Sequence, residues 1–64
     1  MRSLDHAGVR ARYAIWQRGN VIPGRDPDVW LCDDSGKVIC WYGYNDNRSP
    51  FGWFADGRSK PRHL

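Results

Sequence analysis

Residues 28–42 read Asp28-Val-Trp-Leu-Cys-Asp-Asp-Ser-Gly-Lys-Val-Ile-Cys-Trp-Tyr42, and this stretch decides the fold. Two runs of apolar, β-branched and aromatic residues flank a short polar loop, which is the pattern of a β-hairpin. A type I turn with Gly36 in the left-handed region, forming a bulge, fits this loop. The predicted register pairs Asp33 with Lys37, Cys32 with Val38, Leu31 with Ile39, and Trp30 with Cys40.

Alternation along the two strands divides the hairpin residues between two faces. One face is predicted to carry Val29, Leu31, Ile39 and Trp41; the other is predicted to carry Trp30, Cys32, Val38, Cys40 and Tyr42. Because both faces are apolar, neither is expected to be simply solvated. We expect one face to meet an N-terminal helix and the other to meet the segment 51–54 or a partner.

The segment from Asp5 to Arg18 is predicted to be a short helix. Val9, Tyr13 and Trp16 follow the i, i+4, i+7 spacing that places side chains on one helix face. Ser3 or Asp5 would cap the start and Gly19 would end the helix. The alternative is a strand over residues 12–16, with Tyr13 and Ile15 pointing inward.

These elements predict an α+β fold in which the short N-terminal helix packs on a two- or three-stranded antiparallel sheet. The segment 51–54 is the candidate for a third strand, and a small all-β fold is the alternative. Residues 1–57 are expected to form a single domain. Residues 58–64 are polar and basic, and we expect them to form a disordered tail, since chain ends are commonly poorly ordered.

Charge is unevenly distributed along the 64 residues. The net charge is +3, with +4 in residues 1–25, −4 in residues 26–46 and +3 in residues 47–64. Eight of the ten basic residues are Arg, which forms bidentate contacts with phosphate and stacks on rings. No apolar run reaches about 18 residues, and the N-terminus lacks the apolar core of a signal peptide. We therefore expect a cytoplasmic protein with reduced thiols and no membrane partner.

The residue types that carry metal or acid–base chemistry are poorly placed for it. Cys32 and Cys40 are too widely spaced for a zinc knuckle and are expected to be small core residues. The two histidines, His6 and His63, lie near opposite ends of the chain. The aspartates sit at turns, where their side chains commonly bond the local backbone. The sequence thus predicts no cofactor, no metal site and no small-molecule substrate.

The order of turns and rings from Val21 to Asp56 resembles the segment that leads into the catalytic core of bacterial and phage HNH endonucleases. The similar residues are Ile22, Pro23, Gly24, Asp26, Pro27, Trp30, Asp33, Gly36, Ile39, Gly43, Ser49, Gly52, Trp53 and Asp56. In that family a Gly-Trp-Glu-(Ile/Val)-Asp-His run opens the nuclease motif, and here Gly57 occupies the catalytic His position. Only Asp56 matches a metal-site position, so the resemblance implies a relative that is not an enzyme.

Two functions follow as expectations. The first is weak, electrostatic binding of nucleic acid, by basic side chains that contact phosphates and by rings that stack on bases. The predicted binding residues are Arg10, Arg12, Arg18, Arg48, Arg58, Lys60, Arg62, Trp30 and Tyr42. The second is a protein-interaction module or homodimer that uses the aromatic second face of the hairpin.

Overall fold

The fold of this chain is α+β, with one N-terminal helix in contact with two antiparallel sheets. The structure is a computed structural model that describes residues 4–57 and 59–64, with side chains from residue 8 onward. The elements are α1 (Leu4–Trp16), β1 (Asn20–Val21), β2 (Trp30–Cys32), β3 (Val38–Cys40), a 3₁₀ turn (Trp41–Gly43), β4 (Trp53–Asp56) and β5 (Lys60–His63). The strand order is β1-β2-β3 in one sheet, and β4 pairs with β5 in the other.

The hairpin formed by β2 and β3 has the predicted register. Trp30 pairs with Cys40, Leu31 with Ile39, and Cys32 with Val38. Gly36 has a φ of 85°, so the left-handed position in the turn is occupied by glycine as predicted. The N–H of Asp33 donates to the carbonyl of Lys37 at 2.9 Å and closes the turn. The local chemistry of this loop therefore fixes the pairing of the whole hairpin.

The predicted helix is confirmed, and the alternative strand over residues 12–16 is wrong. Of the three residues predicted on its inward face, Trp16 is buried, whereas Val9 is 46% and Tyr13 is 38% exposed. The strands are only two to four residues long, and among residues 8–16 of α1 only Trp16, in the last turn, is buried. The N–H of Gly19 bonds the carbonyl of Trp16 at 2.9 Å, just after the helix ends. The predicted cap at Ser3 lies outside the described residues.

The third strand of the hairpin sheet is β1, and the prediction that the segment 51–54 fills this role is wrong. Asn20 pairs with Cys32 and Val21 with Leu31. β4 instead pairs with β5, with Trp53 opposite His63 and Asp56 opposite Lys60. The chain reverses direction at the turn after Asp56, so the residues that follow the turn pair with the backbone of β4.

The prediction of a disordered tail over residues 58–64 is wrong for residues 60–63, which form β5. Pro61 is almost fully buried, and the N–H of Leu64 donates to the carbonyl of Gly52 at 3.0 Å. The N–H of His63 donates to Asp33 Oδ2 at 3.1 Å, which joins the C-terminal strand to the turn of the hairpin. Arg58 lies outside the described residues. The predicted boundary after residue 57 therefore falls inside a β-hairpin.

The core is small and mostly aromatic. Its buried residues are Trp16, Leu31, Ile39 and Trp53, with Trp41 and Tyr44 packed against them. The ring centroids of Trp16 and Trp53 lie 5.0 Å apart, and those of Tyr44 and Trp53 lie 4.9 Å apart. Tilted and edge-on ring pairs at such distances are favourable beyond the area that they bury. No helix in the described part of the chain is long and apolar enough to cross a membrane.

Candidate nucleic-acid interface

A shallow groove lies on the face of the hairpin opposite the core. Because side chains alternate across a strand, burial of Leu31 and Ile39 in the core places Trp30 and Val38 on the other face. The ring of Phe51 meets that of Trp30 edge-on, with centroids 5.2 Å apart and an interplanar angle of 89°. This groove, called the outer groove below, has a volume of about 210 Å³ and is lined by Ile22, Arg25, Trp30, Val38 and Phe51.

Backbone contacts hold Phe51 in the outer groove. The N–H of Cys40 donates to the carbonyl of Phe51 at 3.0 Å, which ties the loop after the hairpin to the end of β3. The N–H of Phe51 donates to Ser49 Oγ at 3.1 Å. The neighbouring Gly52 is buried, and a Cβ at this position would overlap the carbonyl oxygen of Asp46. The position of the Phe51 ring therefore follows from the path of its backbone.

Arg25 supplies the positive charge of the outer groove. The backbone N–H of Arg25 donates to the carbonyl of Ile22 at 3.0 Å, across a turn in which Gly24 has a φ of 82°. The Arg25 guanidinium carbon lies 5.7 Å from the centroid of the Trp30 ring, within the range of a cation–π contact. Among the described residues, the ion pairs within 4.0 Å involve Arg48, Lys60 and Arg62, and Arg25 has no such carboxylate partner.

The two predicted basic residues of β5 are already paired with carboxylates. Lys60 Nζ lies 3.0 Å from Asp34 Oδ2, and Arg62 Nη1 lies 3.1 Å from Asp56 Oδ2. The hydrogen bond from Asn20 and then the contact with Lys60 hold the pKa of Asp34 below its ordinary value. Both ion pairs line a second groove of about 350 Å³, which carries side chains of both signs of charge. The fold therefore does not leave Lys60 and Arg62 as free cations for phosphate.

Two further predicted residues make contacts within the fold. The Arg12 guanidinium lies 4.1 Å from the centroid of the Tyr44 ring and 5.9 Å from that of Trp41. These distances show that the Arg12 side chain packs against the aromatic core. Its Nε is buried without a hydrogen-bond partner among the described residues. Arg18 Nη1 donates to the carbonyl of Ser59 at 3.2 Å, which links the end of the helix region to the turn between β4 and β5.

The remaining predicted residues are accessible to differing degrees. Arg10 is exposed on α1, and the Arg48 side chain is 92% exposed with Nε 3.6 Å from Asp46 Oδ1. Tyr42 is 77% exposed on the 3₁₀ turn, and Trp30 is half-buried in the outer groove. Arg58 lies outside the described residues. Of the predicted residues that the structure describes, only Trp30 lines the outer groove.

Sequence reasoning missed Arg25, Phe51, Ile22 and Val38 as site residues. Alternation along the strands places Val38 on the same face as Trp30, so the sequence does indicate its position. Ile22 and Arg25 lie in a turn marked by Pro23-Gly24, and Phe51 lies in a loop, so no periodicity points to their position. Their convergence depends on contacts between distant parts of the chain.

The residues considered for metal binding do not converge. No group of three or more His, Cys, Asp or Glu within residues 4–57 and 59–64 is placed to hold a metal ion. Cys32 and Cys40 are free thiols that are only half-buried and lie outside the core, so the expectation that they are small core residues is wrong. Asp56 bonds Arg62, and Gly57 after it has a φ of 62° in the turn between β4 and β5.

Comparison of the chain with protein-family models, with curated proteins and with solved structures gives no significant match.

Proposed function

We propose that this domain is a non-catalytic binding module for nucleic acid, with an affinity that is weak and largely electrostatic. The observation that carries the proposal is the outer groove, in which exposed ring surface adjoins a guanidinium without a carboxylate partner in the described structure. Rings stack on bases and guanidinium groups bind phosphates, so these two groups together suit a nucleotide.

Accessible charge elsewhere on the chain supports the same function. Arg48 lies three residues before Phe51 in one loop, and its side chain is almost fully exposed. Arg10 adds a further exposed guanidinium on α1. The net charge of +3 favours an anionic partner at long range, and this attraction speeds association as well as strengthening it.

The resemblance to the segment that leads into HNH nucleases supports a non-catalytic role. Asp56, the one residue that matches a metal-site position in that family, is paired with Arg62. Gly57 stands at the position of the catalytic His and has no side chain to activate a water molecule. The chemistry that this chain offers is therefore recognition of a polyanion.

The test is a titration of labelled oligonucleotides at two salt concentrations. Neutralising about three phosphates predicts that a single strand binds about 20-fold more weakly at about 200 mM salt than at about 50 mM salt. Chemical-shift changes at Trp30 and Arg25 would locate the contact. Absence of binding to both single-stranded and duplex probes at low salt would contradict the proposal.

The alternative is self-association through the same aromatic face, which is favoured by the exposure of Tyr42 and Phe51. Sedimentation that depends on protein concentration, in a sample that binds neither oligonucleotide, would support it in place of nucleic-acid binding.

A further inference from the structure

We infer that the outer groove accepts one unpaired nucleobase of a single strand, with Arg25 on the adjoining phosphate. The inference rests on the proposed function and specifies its substrate class. It assigns recognition to the rings of Trp30 and Phe51 and the guanidinium of Arg25. Electrostatic binding alone would distinguish single strands from duplexes only by their charge density.

The shape of the groove fits one flat ring system. Trp30 and Phe51 are perpendicular, at 89°, so a planar group can lie parallel to one ring while its edge meets the other. Both arrangements are favourable geometries for aromatic pairs. The volume of about 210 Å³ is below the roughly 300–1,000 Å³ typical of sites for drug-sized ligands. The groove therefore suits a single base and is too small to enclose several.

Charge complementarity selects a nucleotide as the occupant. Arg25 is the cationic residue of the lining, and the other lining side chains are apolar or aromatic. A base with its own phosphate presents a ring and a negative charge within one unit, which matches this combination. An uncharged apolar peptide side chain would fill the groove and leave the Arg25 guanidinium without a partner.

The base must be unpaired in order to enter. In a duplex both faces of a base are covered by its neighbours, so only the edges are accessible in the grooves of the helix. Extrusion of a base from a duplex costs a few kcal/mol, which a single shallow groove does not recover. The outer groove therefore favours single strands, loops and ends.

The decisive variant is Val38→Lys. Val38 lines the outer groove and is 38% exposed on an edge strand, a position where lysine is commonly tolerated. The added charge strengthens binding if attraction is only electrostatic, but the longer lysine side chain obstructs the small groove and weakens binding if a base must enter it. The two mechanisms thus predict opposite signs. We expect about tenfold weaker binding of an oligothymidylate of roughly 12 nucleotides at low salt, equivalent to about 1.4 kcal/mol.

Two further variants isolate the contribution of the groove. Phe51→Ala leaves the charge unchanged, so a loss of about fivefold or more reports lost stacking. Arg25→Ala removes one positive charge from the groove. Arg10→Ala removes one positive charge from α1, on the core side of the hairpin. We expect the Arg25 variant to lose several-fold more affinity than its Arg10 control. Thermal unfolding of each variant verifies that the domain remains folded.

The outcomes separate this inference from the proposed function. Salt-dependent binding that Val38→Lys strengthens, or that is equal for the single strand and for a duplex of the same sequence, leaves the proposed function standing and overturns the groove assignment. Failure of the wild-type protein to bind any oligonucleotide overturns both. Binding of an acidic, aromatic-containing peptide in preference to the oligothymidylate would assign the groove to a protein partner and contradict the inference.

Discussion

Asp33 joins the turn of the hairpin to β5, and its replacement by asparagine tests how much the stability of the fold depends on this contact. Asp33 is buried, with 6% of its surface exposed. Oδ1 accepts the N–H groups of Ser35 and Lys37, each at 2.9 Å, and Oδ2 accepts the N–H of His63 at 3.1 Å. One side chain thus closes the hairpin turn and attaches β5 to it. In Asp33→Asn, the new side chain would keep one oxygen for the turn but would present an amide N–H group to the N–H of His63.

The magnitude follows from the number and kind of these bonds. A hydrogen bond to a charged group contributes roughly 1.5–3 kcal/mol, and Asp33→Asn loses one such bond and weakens two. We expect the free energy of unfolding to fall by about 2–3 kcal/mol. A domain of 64 residues has about 3–10 kcal/mol in total, so this loss is a large fraction. The corresponding fall in Tm is about 10–20 °C.

The pH dependence of this loss identifies its cause. Burial raises the pKa of Asp33, but the hydrogen bonds from Lys37, His63 and Ser35 outweigh it, so the folded pKa lies below the ordinary value of 3.8. The stabilisation by the carboxylate is therefore present above 3.8 and is lost as the pH falls through the folded pKa. Because the asparagine side chain of the variant does not titrate, the stability difference between wild type and variant is expected to shrink below about pH 4.

Urea unfolding of both proteins at about pH 7 and about pH 3 measures this difference. Asp34→Asn is the matched control, because its exposed carboxylate bonds Asn20 and Lys60 at the surface, where solvent weakens such contacts. We expect this neighbour to show only a small fraction of the effect. If Asp33→Asn were as stable as Asp34→Asn, or if the difference did not change with pH, the assignment of Asp33 as the link between the sheets would be refuted.

Two other predictions concern packing. Gly52→Ala should abolish the cooperative thermal unfolding transition, because the new Cβ would overlap the carbonyl oxygen of Asp46. The control Gly8→Ala, which has open space around it in α1, should raise the free energy of unfolding by up to about 1 kcal/mol. A Gly52 variant with the wild-type Tm would contradict the close approach of Gly52 to Asp46. Trp53→Ala should cost about 3–5 kcal/mol, comparable with the whole stability, because the ring is fully buried. Tyr42→Ala, at a ring that is 77% exposed, should change the unfolding free energy by less than about 0.5 kcal/mol, and equal losses at the two positions would refute the division into core and surface rings.

The hairpin was predictable because its determinants are local. Asp33 and Gly36 set the turn, and the turn sets the register of every pair in β2 and β3. The helix was predictable for the same reason, since the spacing of its apolar residues repeats over a few turns. The burial of those residues was not, because it depends on how far the sheets extend beneath the helix.

The missed strand β5 had a signal in the sequence that a general rule outweighed. Asp56-Gly57 is a dipeptide that marks turns, and Gly57 adopts a positive φ in the turn between β4 and β5. The general expectation that polar chain ends are disordered led to the wrong prediction for β5. Lys60–His63 contains only one apolar residue, Pro61, so the strand is stabilised by its pairing with β4 and by Asp33, which lies 30 residues away.

The outer groove was half predictable. Alternation along the hairpin assigns Trp30 and Val38 to one face, and one or the other of the two hairpin faces is predicted to meet the segment 51–54 or a partner. The ring of Phe51 does pack on Trp30. Its position depends on the backbone hydrogen bond from Cys40, at the end of β3, to the carbonyl of Phe51 in the following loop. No local pattern encodes such contacts.

The distribution of charge along the sequence is a poor guide to the charge available for binding. Lys60 and Arg62 lie in the basic C-terminal block, yet folding places each beside a carboxylate at 3.0–3.1 Å. The adjacent carboxylate repels a phosphate and offsets part of the attraction of each cation, so its net gain in binding free energy is reduced. Arg25 has no carboxylate within 4.0 Å among the described residues and gives up only its contact with Trp30. For this reason we propose that Arg25, in a turn, contributes more to nucleic-acid binding than Lys60 and Arg62 of the basic strand β5.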